Sequence, residues 1–474
     1  MLTTLLRDSR ALAALAVPLV LTQLAQVALT TTDTVMMGFL GTRELAAGGL
    51  AIVVFNQLRT MGVGLVTAVG NQVAAAAAHA ERPAGSGDGS GSAARKESDA
   101  QVRGIVRAAL ALATLAGIAG AVLMVLAGHL LPRLGQDAEV AALARTMLYA
   151  LAPGLLPCLW FQVIRQFTVG MRRPQALLRI TLASVAVNAG LNWVLLHGTW
   201  GLPRSGPAGV GIATSSVYLL TCVALYASVR RDAALGPLLG ADIGRADAAV
   251  VVRLLRLGVP IAATYGSEAG FFSLTALMAG TFGPAALAAH TAVNQLVYIV
   301  FQVAVGLSHA ASVNVSRELA LHRYDAARRL RNTALACAAA VMTVVGAVYL
   351  CLPGPVLAPF LESGPGDARV IATQLLVVTA FLQFFDCAQN IGVGLLRGLD
   401  DTKSGFRITL VGYWLVGLPA SWLLAYPLAL DTLGIWLGLL AGLATTAVLL
   451  LRRYSASLSA LAGGRETPAT FRAA

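Results

Sequence analysis

The sequence predicts an all-α polytopic membrane protein, with twelve transmembrane helices in two pseudo-symmetric six-helix lobes. Three observations predict it. The 474 residues are 57% hydrophobic and only 12% charged, with a mean hydropathy of +0.75, which is too little charge to cover a soluble surface. Apolar runs of about 20 residues, the length that crosses a hydrocarbon core, recur along the chain. The second half also repeats landmarks of the first. A β-barrel would show short alternating segments in place of these continuous runs.

In chain order the runs lie near 12–34, 46–71, 104–127, 140–162, 175–197, 209–229, 257–279, 287–311, 333–352, 369–395, 408–428 and 434–452. The first follows "LLRDSR" and is long enough to stay as a helix, so no cleavable signal peptide is expected. Lys and Arg collect in alternate loops, among them "GMRRP", "HRYDAARRLR" and "RGLDDTKSGFR". That is the positive-inside pattern, and it places both termini and the basic loops in the cytoplasm, with the protein in the inner membrane. The net charge of +12 therefore reports orientation and not a nucleic-acid partner. Cys158, Cys222, Cys337, Cys351 and Cys387 all fall within spans. They follow no metal-ligand or disulfide spacing and read as small packing residues.

The repeat is specific. The segment from Val17 aligns with that from Val259 at an offset of 242, pairing Pro18 with Pro260, Gly38 with Gly280, Gly41 with Gly283 and Gly64 with Gly306. Further on the offset falls to 228, where Gly170 meets Gly398. The first half thus carries extra residues, and the Gly/Ser-rich stretch within 80–103 is the candidate, read as a flexible cytoplasmic loop. The expected organisation is an N-terminal lobe over 1–232, a linker over 233–256, a C-terminal lobe over 257–454 and a cytoplasmic tail over 455–474. Two halves of six helices share one orientation, and in transporters built this way the substrate site lies near the bilayer midplane.

Three carboxylates interrupt the apolar runs: Asp33, Glu268 and Asp386. A charge at a helix centre costs about 2.5–3.5 kcal/mol on insertion and marks a functional site by default. Burial disfavours the charged form, so such groups take up protons or bind a small cation. Their repeat partners are Thr275, Gln26 and Cys158, so each acid occurs in one half only. That is how one asymmetric site on a symmetric frame would look. Asn188, Asn192, Tyr265, Ser267, Gln383 and Asn390 could add neutral oxygens, and Asn188 and Asn192 share one helix face at i, i+4. Na⁺ bound at Glu268 and Asp386 and a bound H⁺ both fit this set. Arg59 is the candidate internal partner of Glu268, and His290 reads as a packed helix residue. Asp400–Asp401, beside Lys403, reads as a loop or helix cap and not as a metal–diphosphate motif, so no enzyme is expected.

The stretches "TTTDTVMMGFLGTRELAAGGLA", "NAGLNWVLLHG", "GVPIAATYGSEAGFFSLTALMAGTFGPAALAAHTAVNQ", "GLSHAASVNVSRELA" and "FFDCAQNIGVGLLRGLDDTKSG" together resemble the MATE family of multidrug and toxic compound extrusion transporters. The resemblance spans nearly the whole chain. It implies a V-shaped pair of six-helix lobes exporting amphipathic organic cations by antiport with Na⁺ or H⁺. No cofactor is expected, and the chain is expected to act as a monomer. It assigns Glu268 and Asp386 to the cation-coupling pair of the bacterial branch that has acids in the seventh and tenth helices. It also assigns Asp33 to coupling, and Asn188 and Asn192 to the N-lobe cavity. The alternative is a lipid-linked saccharide flippase of related twin-lobe fold, which would need a cationic cavity where these charges are acidic.

Overall fold

The computed structural model describes residues 2–81, 90–134, 138–198, 206–361 and 366–463. Among them, twelve segments are helical, long and apolar enough to cross a membrane. In chain order they are α1 (Leu2–Gly38), α2 with α3 (Thr42–Thr67, Val69–His79), α4 (Ser90–Leu130), α5 (Ala138–Gly170), α6 (Gln175–His197) and α7 (Gly206–Arg231). The second half contributes α8 (Ala248–Gly280), α9 (Pro284–Ala320), α10 (Tyr324–Cys351), the short α11 (Pro353–Leu357) and α12 (Asp367–Gly398). The eleventh span is α13 (Thr402–Leu410), a π-helical segment at Val411–Gly417 and α14 (Leu418–Ala425); α15 (Asp431–Ala462) is the twelfth.

Several helices run past their apolar segments. Of the loop expected over 80–103, residues 82–89 lie outside the described residues, and the chain from Ser90 onward is already helix, continuous with the third span. Ala93, Ala94, Arg95, Lys96 and Glu97 are strong helix formers, and a helix does not have to stop where lipid does. The linker expected over 233–256 is shorter for the same reason, since α8 begins at Ala248. Before it come two single turns, Gly236–Leu238 and Ile243–Arg245. The tail after Gly463 lies outside the described residues.

The helices form two compact units, one made of Met1–Val20 with Ala263–Ala474, the other of Leu21–Ala262. Each has its own core. In the Leu21–Ala262 unit the central helix is α5, packed against α2, α4 and α7, around Phe55, Met147, Leu148 and Leu151. In the other unit α12 takes that place, packed against α9, α10 and α15, around Phe271, Leu375, Tyr413 and Trp436. The unit boundaries fall inside α1 and α8, so each unit includes a helical segment from the other half of the sequence.

Repeated glycines explain how those segments fit. A Cβ on Gly64 would lie 2.7 Å from the Ala262 backbone, and one on Gly306 would lie 2.8 Å from the Val20 backbone. Small residues let helix backbones approach this closely in a membrane. Gly41 and Gly283 precede α2 and α9 at φ 139° and 102°, a region that side chains disfavour. Just past each boundary the crossing helix is tied down by a buried arginine. In one unit Arg165 of α5 donates to Gln23 of α1 at 2.9 Å and to Gln162 at 3.1 Å. In the other, Arg397 of α12 donates to Ser312 at 3.1 Å and to the Tyr265 hydroxyl of α8. Gln23 and Tyr265 stand opposite each other at the 242-residue offset, so both units use the same anchoring point.

Candidate cation site

The structure places the three carboxylates in two clusters. Asp33 lies near the end of α1 in the Leu21–Ala262 unit and is buried. Its Oδ1 accepts from Asn188 Nδ2 and Asn192 Nδ2, both at 2.8 Å. Its Oδ2 accepts from the Thr214 hydroxyl of α7 at 2.9 Å. The i, i+4 spacing on α6 gives both asparagines one helix face, and that face meets this one acid. Their own Oδ1 atoms are buried and accept no hydrogen bond. A cavity reaches this cluster past Thr30, Phe55, Asn56 and Tyr218. Thr214 was not legible in the sequence, where it is one hydroxyl among several in "GIATSS".

Glu268 and Asp386 come together in the other unit. Glu268, on α8, accepts from the Tyr413 hydroxyl at 3.2 Å. Gln389 of α12 donates in turn to that hydroxyl. Asp386 is buried, and its Oδ1 accepts from Asn390 Nδ2, one turn on, at 3.2 Å. The charge of Asp386 acts on Glu268, and both act on Tyr413, so the three groups form one cluster. Within this unit, among the described residues, neither acid forms an ion pair; every partner is a neutral hydroxyl or amide. Arg59, the candidate partner in the sequence, lies in the Leu21–Ala262 unit, where it donates to Asn56 at 3.3 Å, one turn back on its own helix.

Tyr413, like Thr214, does not stand out in the sequence. It lies in the π-helical segment, a geometry found mostly at functional sites, and is fully buried. Phe271 stacks on it with ring centroids 4.8 Å apart, so Phe271 belongs to the core and sets the hydroxyl's direction. The neighbouring Trp414 donates to Ser267 at 2.8 Å, a second tie between this segment and α8. Gly412 and Gly417 let the wider turn settle against α15, where added Cβ atoms would strike Thr446 and Gly442. The glycines and Pro419 of "VGYWLVGLP" were the available signal.

Other candidates go elsewhere. The Tyr265 hydroxyl serves Arg397, and Gln383 is buried beside Tyr349 of α10. His290 is buried and accepts from Trp436 Nε1 at 3.2 Å, in keeping with a packed helix residue. Asp401 caps α13 by accepting from Ser404 N at 3.3 Å and pairs with Arg453 at 2.9 Å, in keeping with a loop cap.

With this geometry in place, the chain can be set beside known proteins. The family model MatE matches residues 92–194 and 260–423. A probable multidrug resistance protein NorM of Pseudomonas aeruginosa is 36% identical over 448 residues, 93% of this chain and 88% of that protein. The chain belongs to the MATE family. The crystal structure of the eukaryotic MATE transporter AtDTX14 shares the fold at 20% identity, with a TM-score of 0.80 over 98% of this chain and 100% of that one. So does a MOP superfamily transporter from Pyrococcus furiosus, described as having a binding pocket of reverse polarity, at 17% identity and a TM-score of 0.81 over 97% of each chain. This MATE chain is accordingly a multi-pass membrane protein of a transporter family, with two clusters of intramembrane carboxylates.

Proposed function

We propose that the protein is a multidrug efflux transporter that exports amphipathic organic cations by antiport with Na⁺ or H⁺, alternating access between its lobes. The observation that carries this reading is the Glu268–Asp386–Tyr413 cluster. Two carboxylates that feel each other's charge, in an apolar setting and without a cationic side chain, form a seat for an external positive charge. A bare buried charge is costly, so the cluster is stable when a proton, a Na⁺ ion or a cationic substrate occupies it. These species compete for the same negative charge, and that competition couples inward movement of one to outward movement of the other. The NorM relatives, named for multidrug resistance, support multidrug efflux. The transported ion is Na⁺ or H⁺; the oxygens of Glu268, Asp386 and Tyr413 suit Na⁺, and a carboxylate alone suits H⁺.

The Asp33 cluster supplies a second acidic position. Three neutral donors converge on the Asp33 carboxyl, and the unpaired Asn188 and Asn192 oxygens add acceptors for a small cation or a water. A lipid-linked saccharide flippase fits less well, because its anionic headgroup would meet carboxylates with no compensating charge. The setting is the inner membrane, with both termini cytoplasmic by the distribution of Lys and Arg, and the protein acts as a monomer. The test is competition for binding. In detergent, tetraphenylphosphonium should bind wild-type protein, and raising Na⁺ or lowering pH should weaken it about tenfold or more. Binding that is indifferent to both ions would overturn the shared seat.

A further inference from the structure

Outside the carboxylate clusters, the feature that carries furthest is the basic end of α7. There an open cleft of about 480 Å³ is lined by Tyr226, Arg230, Arg231, Gly236 and Pro237. The turn after the helix folds back closely, since a Cβ on Gly236 would lie 2.5 Å from the Arg230 carbonyl oxygen. The buried Leu235 and Leu238 anchor it. The single acid of the cleft, Asp232, is already committed. It accepts from the backbone N–H groups of Ala234 and Leu235 at 2.8 and 3.1 Å and pairs with Arg173 at 3.3 Å. Those backbone hydrogen bonds hold its carboxyl below the usual carboxylate range, so it stays ionised and balanced by Arg173.

Two positive charges are left over. Arg230 donates to the Tyr226 hydroxyl at 3.0 Å, which fixes one guanidinium at the mouth of the cleft, and Arg231 is exposed beside it. The same helix face continues away from the cleft as an exposed apolar stripe, with Leu219 at 52% and Val223 at 56% exposure. Positions 219, 223, 226 and 230 lie one above another on a helix. The ligand that matches an apolar stripe ending in two unbalanced arginines is an amphiphile with an anionic head.

We propose that this cleft binds the phosphate of an anionic phospholipid whose acyl chains lie along Leu219 and Val223. Arg230 and Arg231 hold the phosphate oxygens through charge-assisted hydrogen bonds. Basic pockets beside transmembrane helices recognise lipid headgroups in this way. A free anion would use the arginines and leave the stripe unused; a zwitterionic lipid would use the stripe and gain less from the arginines.

The experiment is native mass spectrometry of delipidated protein offered phosphatidylglycerol or phosphatidylcholine. Wild-type protein should retain phosphatidylglycerol in preference, and R230Q/R231Q should lower its occupancy about tenfold or more. Arg231→Gln alone, a change at an exposed residue, should fall between the two. The control R328Q/R329Q, which removes the same charge from the exposed start of α10, should bind like wild type. Equal binding by R230Q/R231Q and wild type would overturn the proposal, as would equal losses in the two double variants. Equal retention of phosphatidylcholine would do the same. Displacement of the lipid by millimolar inorganic phosphate would show a free-anion site and overturn the lipid assignment.

Discussion

At the scale of single residues, the difference between the two acidic clusters lies in how each charge is compensated. Asp33 receives three hydrogen bonds from neutral donors, whereas Glu268 and Asp386 receive one side-chain donor each. In the proposed antiport the second cluster is therefore the more dependent on an added cation. Tyr413 joins it to Gln389, so Tyr413→Phe strands a buried amide and bares Glu268. We expect that variant to lose about 1–3 kcal/mol of stability, read by thermal unfolding, and to transport about tenfold more slowly. Asp33→Asn keeps the shape but removes the charge that Asn188, Asn192 and Thr214 point to. It should fold and yet lose most coupled transport in vesicles; wild-type rates would remove Asp33 from the mechanism. The acids themselves were legible in the sequence because an isolated carboxylate in an apolar run is conspicuous. Tyr413 and Thr214 were not, because a hydroxyl in a greasy helix is unremarkable until its neighbours are known.

At the scale of helices, the crossing segments of α1 and α8 are held by paired devices: a glycine contact on one side of each boundary and a buried arginine on the other. Valine at Gly64 or Gly306 would drive a side chain into helix backbone, and overpacking of this kind costs about 1–3 kcal/mol or more. Both variants should express poorly or elute as aggregates, while Gly49→Ala, with open space around it, should match wild type. The arginine anchors predict coupling that a double-mutant cycle can measure. Arg165→Met with Gln23→Leu, and Arg397→Met with Tyr265→Phe, should each show an interaction energy of about 0.5–3 kcal/mol. Additive effects would mean the arginines do not act through the crossing helices. The repeat in the sequence foretold the glycines, since both copies keep them. It did not foretell the anchors, because Arg165 and Arg397 are not at matching positions; only the residues they hold, Gln23 and Tyr265, are. The extensions of α4 and α8 beyond their apolar segments were hidden for a different reason. Hydropathy marks where lipid ends, and helix propensity carries the backbone on.

At the scale of the whole molecule, twelve spans and the twofold repeat were readable from the sequence because bilayer thickness and backbone hydrogen bonding leave few alternatives. The residue pattern alone suggested one asymmetric site, and only the family resemblance paired Glu268 with Asp386 and set Asp33 apart, because the partition of the three acids depends on packing that no linear pattern encodes. In the proposed antiport, a coupling cation and a cationic substrate exclude each other at Glu268 and Asp386. The most direct measurement is movement of a fluorescent organic cation across proteoliposomes, with Na⁺ and pH gradients imposed separately. Wild-type protein should drive it with at least one gradient, and Glu268→Gln and Asp386→Asn should each abolish that driving. Gradient-driven movement that persists in both variants at the wild-type rate would contradict the account.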